Sequence, residues 1–340
     1  MKRCRRIGQD VTKRCNAACK TCFYRYAPDF NKDYDVPIKL IREECDRAKA
    51  RGCNHSVLVG WGETTLYKYL EEWQAHCDMI GFTTSMITNG MCSVKKAAEV
   101  YALGLDHLHI SVHGTGDILN QILERDGASR MQGLVIEMLK REGHPWRSNT
   151  TLQKINYEHL AETAKYVVEH GCRHVVLLGF LPHYEWRNRL REVAVHPAIL
   201  RPHIEEAAEV VLDAGAMLTI RYHPMCHLRS DYWKYVVNAQ YVLYDPWEWD
   251  YGHAGDSKEA LWSVASNEIG GGVAIKGEPC SKCDLKMHCG GWNKIYAAGF
   301  EGAGLKAQKE TDVPFVPGWL HDLNPANKAK GYFRENSSDN

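Results

Sequence analysis

Cys15-Asn16-Ala17-Ala18-Cys19-Lys20-Thr21-Cys22 sets three thiols within eight residues, three residues apart and then two. Thiolates at this density are metal ligands. Four complete the shell of an iron–sulfur cluster, whereas three leave one iron open to a further ligand and to chemistry. Zinc also takes thiolates, and here it would need a fourth ligand from elsewhere. A second group, Cys280-Ser281-Lys282-Cys283 with Cys289 after a gap of five, has CxxCx5C spacing. Cys226 is the one further cysteine in that region, which brings the set to four. Four thiolates hold either a [4Fe–4S] cluster or a structural zinc ion. The other cysteines, Cys4, Cys45, Cys53, Cys77, Cys92 and Cys172, are scattered and read as small buried hydrophobes.

The elements that position these thiols follow from periodicity. Strand patterns lie at Ile7–Thr12, His55–Gly60, Thr83–Thr88, His107–Val112, Arg147–Leu152 and His174–Phe180. Amphipathic helical patterns alternate with them near Pro37–Arg51, Tyr67–Ile80, Ser93–Leu103, Asp117–Arg141 and Tyr157–His170. Such alternation predicts βαβ units and a parallel sheet, with sites at the C-terminal ends of the strands. The first cysteine group falls at the end of the first strand. A further helix at Pro197–Ala214 and a strand at Met217–Tyr222 follow. Residues 223–262 are rich in Trp, Tyr and His, and residues 270–291 in Gly and Cys, as in a small metal-supported unit. The division predicted is a barrel over 1–215, a cluster domain over 216–300, and a polar, partly disordered extension over 301–340.

The 340 residues carry 42 basic and 42 acidic side chains, so bulk charge does not favour a nucleic-acid partner. No apolar run is long enough to span a bilayer, and the basic N-terminus is not followed by a signal-peptide core. A cytoplasmic, reducing location is expected, in which clustered cysteines are ligands rather than disulfides.

The CxxxCxxC run on a loop after a strand resembles the signature of the radical S-adenosylmethionine (SAM) enzymes. The resemblance implies an α/β fold, a partial (β/α)6 barrel, and a [4Fe–4S] cluster on Cys15, Cys19 and Cys22 whose open iron chelates SAM. The family usually has an aromatic residue before the last cysteine, where this chain has Thr21; Phe23 or Tyr24 stands in for the adenine contact. Gly60-Trp61-Gly62-Glu63-Thr64 resembles the GGEP-like loop, which implies SAM contact at Gly60, Gly62 and Glu63. Thr88-Asn89-Gly90 resembles the TNG often found after the third strand. Ser111 resembles the serine that binds SAM, and Arg125, ahead of Arg130, is the candidate for its carboxylate. Asn149 and Thr151 line the cavity in this reading, and Phe180 gives apolar contact. Of the seventeen histidines, His113, His183 and His223 fall near strand ends without an assigned role.

CxxCx5C followed by glycine resembles the auxiliary-cluster domains called SPASM and Twitch. Asn293 replaces the next SPASM cysteine and no cysteine follows Cys289, so the shorter Twitch arrangement fits, with Cys226, Cys280, Cys283 and Cys289 on a second [4Fe–4S] cluster. The aromatic run Tyr241–His253 reads equally as a substrate lid or as packing.

The resemblance implies reductive cleavage of SAM to a 5′-deoxyadenosyl radical, which abstracts hydrogen from a substrate C–H bond. A redox-active auxiliary cluster makes the net reaction an oxidation or cross-link; a structural one leaves epimerisation or rearrangement. A peptide or a small polar metabolite is the favoured substrate, ahead of a nucleoside or nucleotide. The first strand begins almost at once, so no leader-binding domain is expected ahead of it, which weighs against the peptide. Flavodoxin or ferredoxin is the implied electron donor. The opposing class, a non-enzymatic zinc-binding interaction protein, accounts for the cysteines but not for their place at strand ends.

Overall fold

The computed structural model describes residues 6–22, 24–25, 30–50, 52–182, 186, 188–237, 250–252, 274–287, 289, 291–301 and 304–309. Phe23, His183, most of the aromatic segment at 241–253 and residues 310–340 lie outside this description.

Seven parallel strands build the scaffold: β1 (Arg6–Gln9), β2 (His55–Leu58), β3 (Thr83–Thr88), β4 (His107–Ser111), β5 (Trp146–Thr151), β6 (His174–Leu178) and β7 (Met217–Arg221). They are consecutive neighbours in one sheet, which β8 (Val236–Val237) extends beyond β7 and β9 (Asp250–Gly252) extends beyond β1. The crossovers are α1 (Ile38–Ala50), α2 (Leu70–Met79), α3 (Val94–Ala102), α4 (Gly116–Leu123), α5 (Ala128–Glu142), α6 (Leu160–Glu169), α7 (Leu190–Val193) and α8 (Pro197–Asp213). This is the expected α/β partial barrel. The strand at Met217 belongs to the same sheet, pairing in parallel with β6 over five residues. A two-stranded antiparallel pair, β10 (Ala274–Ile275) with β11 (Trp292–Asn293), and α9 (Lys294–Gly299) follow.

Apolar side chains on the helix-facing side of the sheet make the main core. Leu58, Met86, Leu108, Ile110, Trp73 and Trp146 are essentially inaccessible. The Trp73 indole N–H donates to Ser56 Oγ (3.2 Å), so the polar edge of a large buried ring is satisfied. Truncating such a ring to Ala costs about 3–5 kcal/mol. Cys45, Cys53, Cys77 and Cys172 are buried in this layer, as expected of small hydrophobes. No helix among the described residues is long and apolar enough to cross a membrane.

One helix expectation is corrected. The pattern over Asp117–Arg141 predicts one helix, but the chain breaks into α4 and α5. Glu124 (φ 46°) and Gly127 (φ 74°) take left-handed backbone and turn the chain between them. The break exposes the last carbonyls of α4, and the cysteine loop uses them.

Candidate functional site

The cysteine loop leaves β1 and is held on three sides. The Ala18 and Lys20 N–H groups donate to Leu123 O (3.2 Å) and Ile122 O (3.0 Å), carbonyls that the end of α4 leaves without helical partners. Asn16 Nδ2 donates to Met91 O (2.7 Å) and Asn16 Oδ1 accepts from Asn89 Nδ2 (2.8 Å), tying the loop to the end of β3. The Thr21 hydroxyl donates to Gln153 Oε1 (3.0 Å) in the loop after β5. Arg25 bonds Ala18 O (2.6 Å) and pairs with Glu124 (2.7 Å).

Cys15, Cys19 and Cys22 are half-buried and close enough to act on one another electrostatically. Burial pushes the Cys15 thiol up to about 11, with the charges of Glu63 and Cys22 adding to it. Burial also raises Cys19, reinforced by Cys22 and Cys15. Cys22 rises for the same reason, opposed by the N–H groups of Tyr24 and Arg25 and by the Arg25 charge. Metal binding must displace these protons, so loading releases them. Three gathered thiols fit a four-iron cluster with one iron left for another ligand.

The glycines after β2 serve the cysteine loop. Gly62 N–H donates to Thr12 O (2.8 Å) and Glu63 N–H to Arg14 O (2.8 Å). Gly60 has φ +71°, and a Cβ there would lie 2.7 Å from Gly62 O. Glu63 is buried. Its carboxylate accepts from Thr65 N (3.1 Å), Thr65 Oγ1 (2.8 Å), Thr88 Oγ1 and Asn89 N (2.8 Å). Burial raises its pKa against those four donors. Glu63 thus fastens the Thr88-Asn89-Gly90 turn beside the thiols.

Ser111 is half-buried at the end of β4, with its carbonyl accepting from Gln132 Nε2 (3.1 Å). The same amide donates to Asn89 O (2.7 Å), so Gln132 of α5 joins the ends of β3 and β4. Arg125 is exposed, and its guanidinium bonds Asn16 O on the cysteine loop. Arg130 is exposed on α5. Asn149 is buried near the end of β5. Thr151 N–H donates to His113 Nδ1 (3.2 Å), and burial lowers His113 to about 4. Asn156, fully buried, donates to His113 O (2.7 Å) and Thr151 O (2.9 Å). Phe180 packs into a second core with Trp186, Leu190, Trp292 and Tyr296.

A separate pocket is lined by Cys226, Cys280, Cys283 and Cys289. Met225, Leu285 and Leu305 supply apolar wall, and Lys276, Lys286 and Lys306 bring positive charge. Burial pushes Cys226 up to about 12, with the other three thiols adding to it, and burial raises Cys289 and Cys280. Gln308 N–H points at Cys283 Sγ (3.3 Å) and Gly291 N–H at Cys289 Sγ (3.5 Å). Four thiols lining one pocket are the donor set of a [4Fe–4S] cluster or of a structural zinc ion. Residues 305–308, assigned from sequence to a polar extension, form part of this wall.

Gln132, Gln153 and Asn156 were not legible as site residues. Each is an ordinary amide on a helix or turn with at least one partner distant in sequence.

Parallel strands with a three-thiol loop at their C-terminal end define a class, and residues 10–167 match the model of the radical SAM superfamily. The chain carries a radical SAM domain. That family implies a [4Fe–4S] cluster and bound SAM. Among curated proteins, the chain is 26% identical over 213 residues to the PqqA peptide cyclase of Methylocella silvestris, covering 61% of this chain and 54% of the relative. It is 27% identical over 211 residues to the PqqA peptide cyclase of Ruegeria pomeroyi, covering 62% and 55%. The chain thus spans about half the length of the curated relatives it matches. Among solved structures it resembles Streptococcus suis SuiB bound to precursor peptide SuiA (TM-score 0.59, 14% identity, 91% of this chain and 76% of that one). It also resembles native anSMEcpe with bound AdoMet (TM-score 0.57, 15% identity, 88% and 95%). At these identities the likeness to solved structures is one of fold.

Proposed function

We propose that this chain is a radical SAM enzyme that modifies a peptide by oxidation or cross-linking. The observation that carries the reading is the fixed cysteine loop, three thiols pinned by α4, β3 and the β5 loop at the open end of the barrel. When bound, its cluster supplies the electron that splits SAM to methionine and a 5′-deoxyadenosyl radical, which takes hydrogen from a substrate C–H bond. The chain's own work is positioning. Glu63 and Gln132 set the ends of β3 and β4 against the loop, and Asn156 orients His113 and the end of β5. Gly60, Gly62 and Ser111 present backbone and hydroxyl groups to SAM, and Arg125 braces the loop from outside. Holding cofactor and substrate in one orientation, away from water, is the main contribution of such a site.

Cys226, Cys280, Cys283 and Cys289 hold a second [4Fe–4S] cluster in a Twitch-like unit built after β7. When bound, such a cluster would supply an acceptor for one electron from the substrate radical; with a proton lost to solvent, the substrate would be lighter by two hydrogens overall. An iron–sulfur cluster is favoured over zinc here because the three-thiol loop upstream falls in residues that match a cluster-binding family. A peptide is favoured over a small metabolite because two curated relatives are PqqA peptide cyclases. A flavodoxin or ferredoxin supplies the first electron.

The test is anaerobic incubation of the reconstituted protein with SAM, a reductant and a panel of short synthetic peptides. 5′-Deoxyadenosine together with a peptide lighter by two hydrogens supports the reading. 5′-Deoxyadenosine with peptide unchanged in mass but altered in stereochemistry overturns the oxidative part. No 5′-deoxyadenosine overturns the whole.

A further inference from the structure

The pocket of the second thiol group is ringed by lysines at the protein surface. Residues 274–309 hold six lysines and no arginine against Glu278, Asp284 and Glu301, a net charge of +3 in a chain whose total is zero. Lys282 stands between the ligand positions Cys280 and Cys283, Lys286 follows Cys283, and Lys306 comes from the segment that closes the pocket. All three are exposed. Lys276 bonds Lys286 O, which ties one side of the rim together. Lys309 pairs with Asp284 (3.5 Å). Lys282, Lys286 and Lys306 have no ion pair among the described residues, and no carboxylate among them lines the pocket. Beside the first thiol group, by contrast, Arg25 is paired with Glu124 (2.7 Å), and Lys20 acts on the carboxylate of Glu192.

Part of this charge answers the thiols. Lys276, Lys286 and Lys306 line the pocket, where a cation favours deprotonated sulfur. Lys282 and Lys309 are not part of the lining, so the collar extends beyond what the ligands need. The thiols also lie near the surface, since Cys226 and Cys280 are only half-buried. Charge and a redox-capable ligand set therefore occupy one face.

We infer that this lysine collar is a docking surface for a small acidic redox protein. The inference rests on the reading that Cys226, Cys280, Cys283 and Cys289 hold an iron–sulfur cluster, and it names the partner of that site. Electron-transfer encounters bury little surface and are guided by complementary charge. Lysine is a mobile point charge, suited to carboxylates scattered over a protein face. A nucleic acid fits less well. No arginine here offers a fork to phosphates, and Trp292 and Tyr296 are buried, so their rings cannot stack on bases. In the oxidative reaction the docked partner takes up the one electron that the substrate radical gives up. Its own cofactor is reduced by that electron, and the substrate's proton goes to solvent.

The experiment is calorimetric titration of the reconstituted protein with oxidised flavodoxin, an acidic flavin protein, at about 50 mM and about 300 mM salt. Iron is counted on the same sample. Saturable binding is expected at the lower salt, weakened at least about tenfold at the higher. Lys282→Glu/Lys306→Glu should weaken binding at least about tenfold at the lower salt. Lys39→Glu/Lys95→Glu makes the same change in net charge on α1 and α3 and should leave binding unchanged. No saturable binding, binding indifferent to salt, wild-type binding by Lys282→Glu/Lys306→Glu, or equal loss in both variants overturns the inference. Should Lys306→Glu lower the iron content, Lys282→Glu alone, outside the pocket lining, makes the comparison. About eight irons per chain without flavodoxin binding overturns the docking surface and leaves the cluster reading standing. About four irons with zinc at the second site overturns the cluster reading, and the docking inference with it.

Discussion

A Cβ placed on Gly62 would lie 2.0 Å from the carbonyl oxygen of Arg14, the residue before the first cysteine of the loop. The neighbouring Glu63 N–H donates to that same oxygen at 2.8 Å. The loop after β2 and the cysteine loop are therefore in backbone contact, and only glycine permits it. Gly62→Ala should move the cysteine loop and cost about 1–3 kcal/mol from overpacking. Iron bound at Cys15, Cys19 and Cys22 should fall with it, as read by iron counts and denaturant midpoints. Unchanged values for both would show that the contact is incidental.

The Gln132 side chain bonds both Asn89 O and Ser111 O. Gln132→Met keeps the volume and removes both donations, to the part-buried Asn89 O and Ser111 O. A loss of about 1–3 kcal/mol is expected. SAM binding should weaken about tenfold, as measured by equilibrium dialysis, while iron content stays at the wild-type value. A drop in stability with unchanged SAM affinity would make Gln132 structural only.

Among the described residues, five histidines take depressed pKa values in the fold: His55, His107 and His109 well below 6.5, His113 at about 4 and His223 at about 3. Each binds a proton more readily when unfolded, so its contribution to stability is present above pH 6.5 and is lost as pH falls toward the folded value. Asp10, raised to about 7 by burial and by Glu44, and Glu63, raised by burial, act in the opposite sense. The histidines outnumber them, so stability should fall between about pH 6.5 and 4, each fully shifted histidine contributing about 1.4 kcal/mol per pH unit. Urea midpoints across that range check this, and a flat profile would contradict the buried, neutral imidazoles.

Much of this was legible in the sequence because it repeats or clusters locally. The alternation of strand and helix, the three-thiol loop and the CxxCx5C group all carry short-range patterns. What stayed hidden depends on partners far apart in the chain. The α4–α5 break rests on the backbone of Glu124 and Gly127, and its purpose, capping by Ala18 and Lys20, lies over a hundred residues away. Gln132, Gln153 and Asn156 are identifiable only through the carbonyls and hydroxyls they meet. The stacked rings of His55, His107 and His109 need the strand register, since β2 and β4 bring them together from separate parts of the chain. Phe180 is expected from its position to give apolar contact, and its packing with Trp186, Trp292 and Tyr296 in the second core could not be read from the sequence.

Residues 305–308 close the pocket of the second thiol group, with Gln308 N–H on Cys283 Sγ and Leu305 against the void. N–H···S bonds and shielding from solvent tune and retain iron–sulfur clusters. Ending the chain after residue 304 should therefore lower iron to about four per chain while 5′-deoxyadenosine formation persists. Full iron retention in that variant would show that the segment does not support the site.

The central claim is that two thiol groups hold two iron–sulfur clusters, the first of which drives SAM cleavage. Anaerobic reconstitution with iron and sulfide counted, wild type beside Cys15/Cys19/Cys22→Ala, with dithionite and SAM present, tests it most directly. The account predicts about eight irons in the wild type, about four in the variant, and 5′-deoxyadenosine from the wild type alone. About four irons in the wild type with zinc at Cys226, Cys280, Cys283 and Cys289 would contradict the oxidative role of the second site. A wild type without iron and without SAM cleavage would contradict the account altogether.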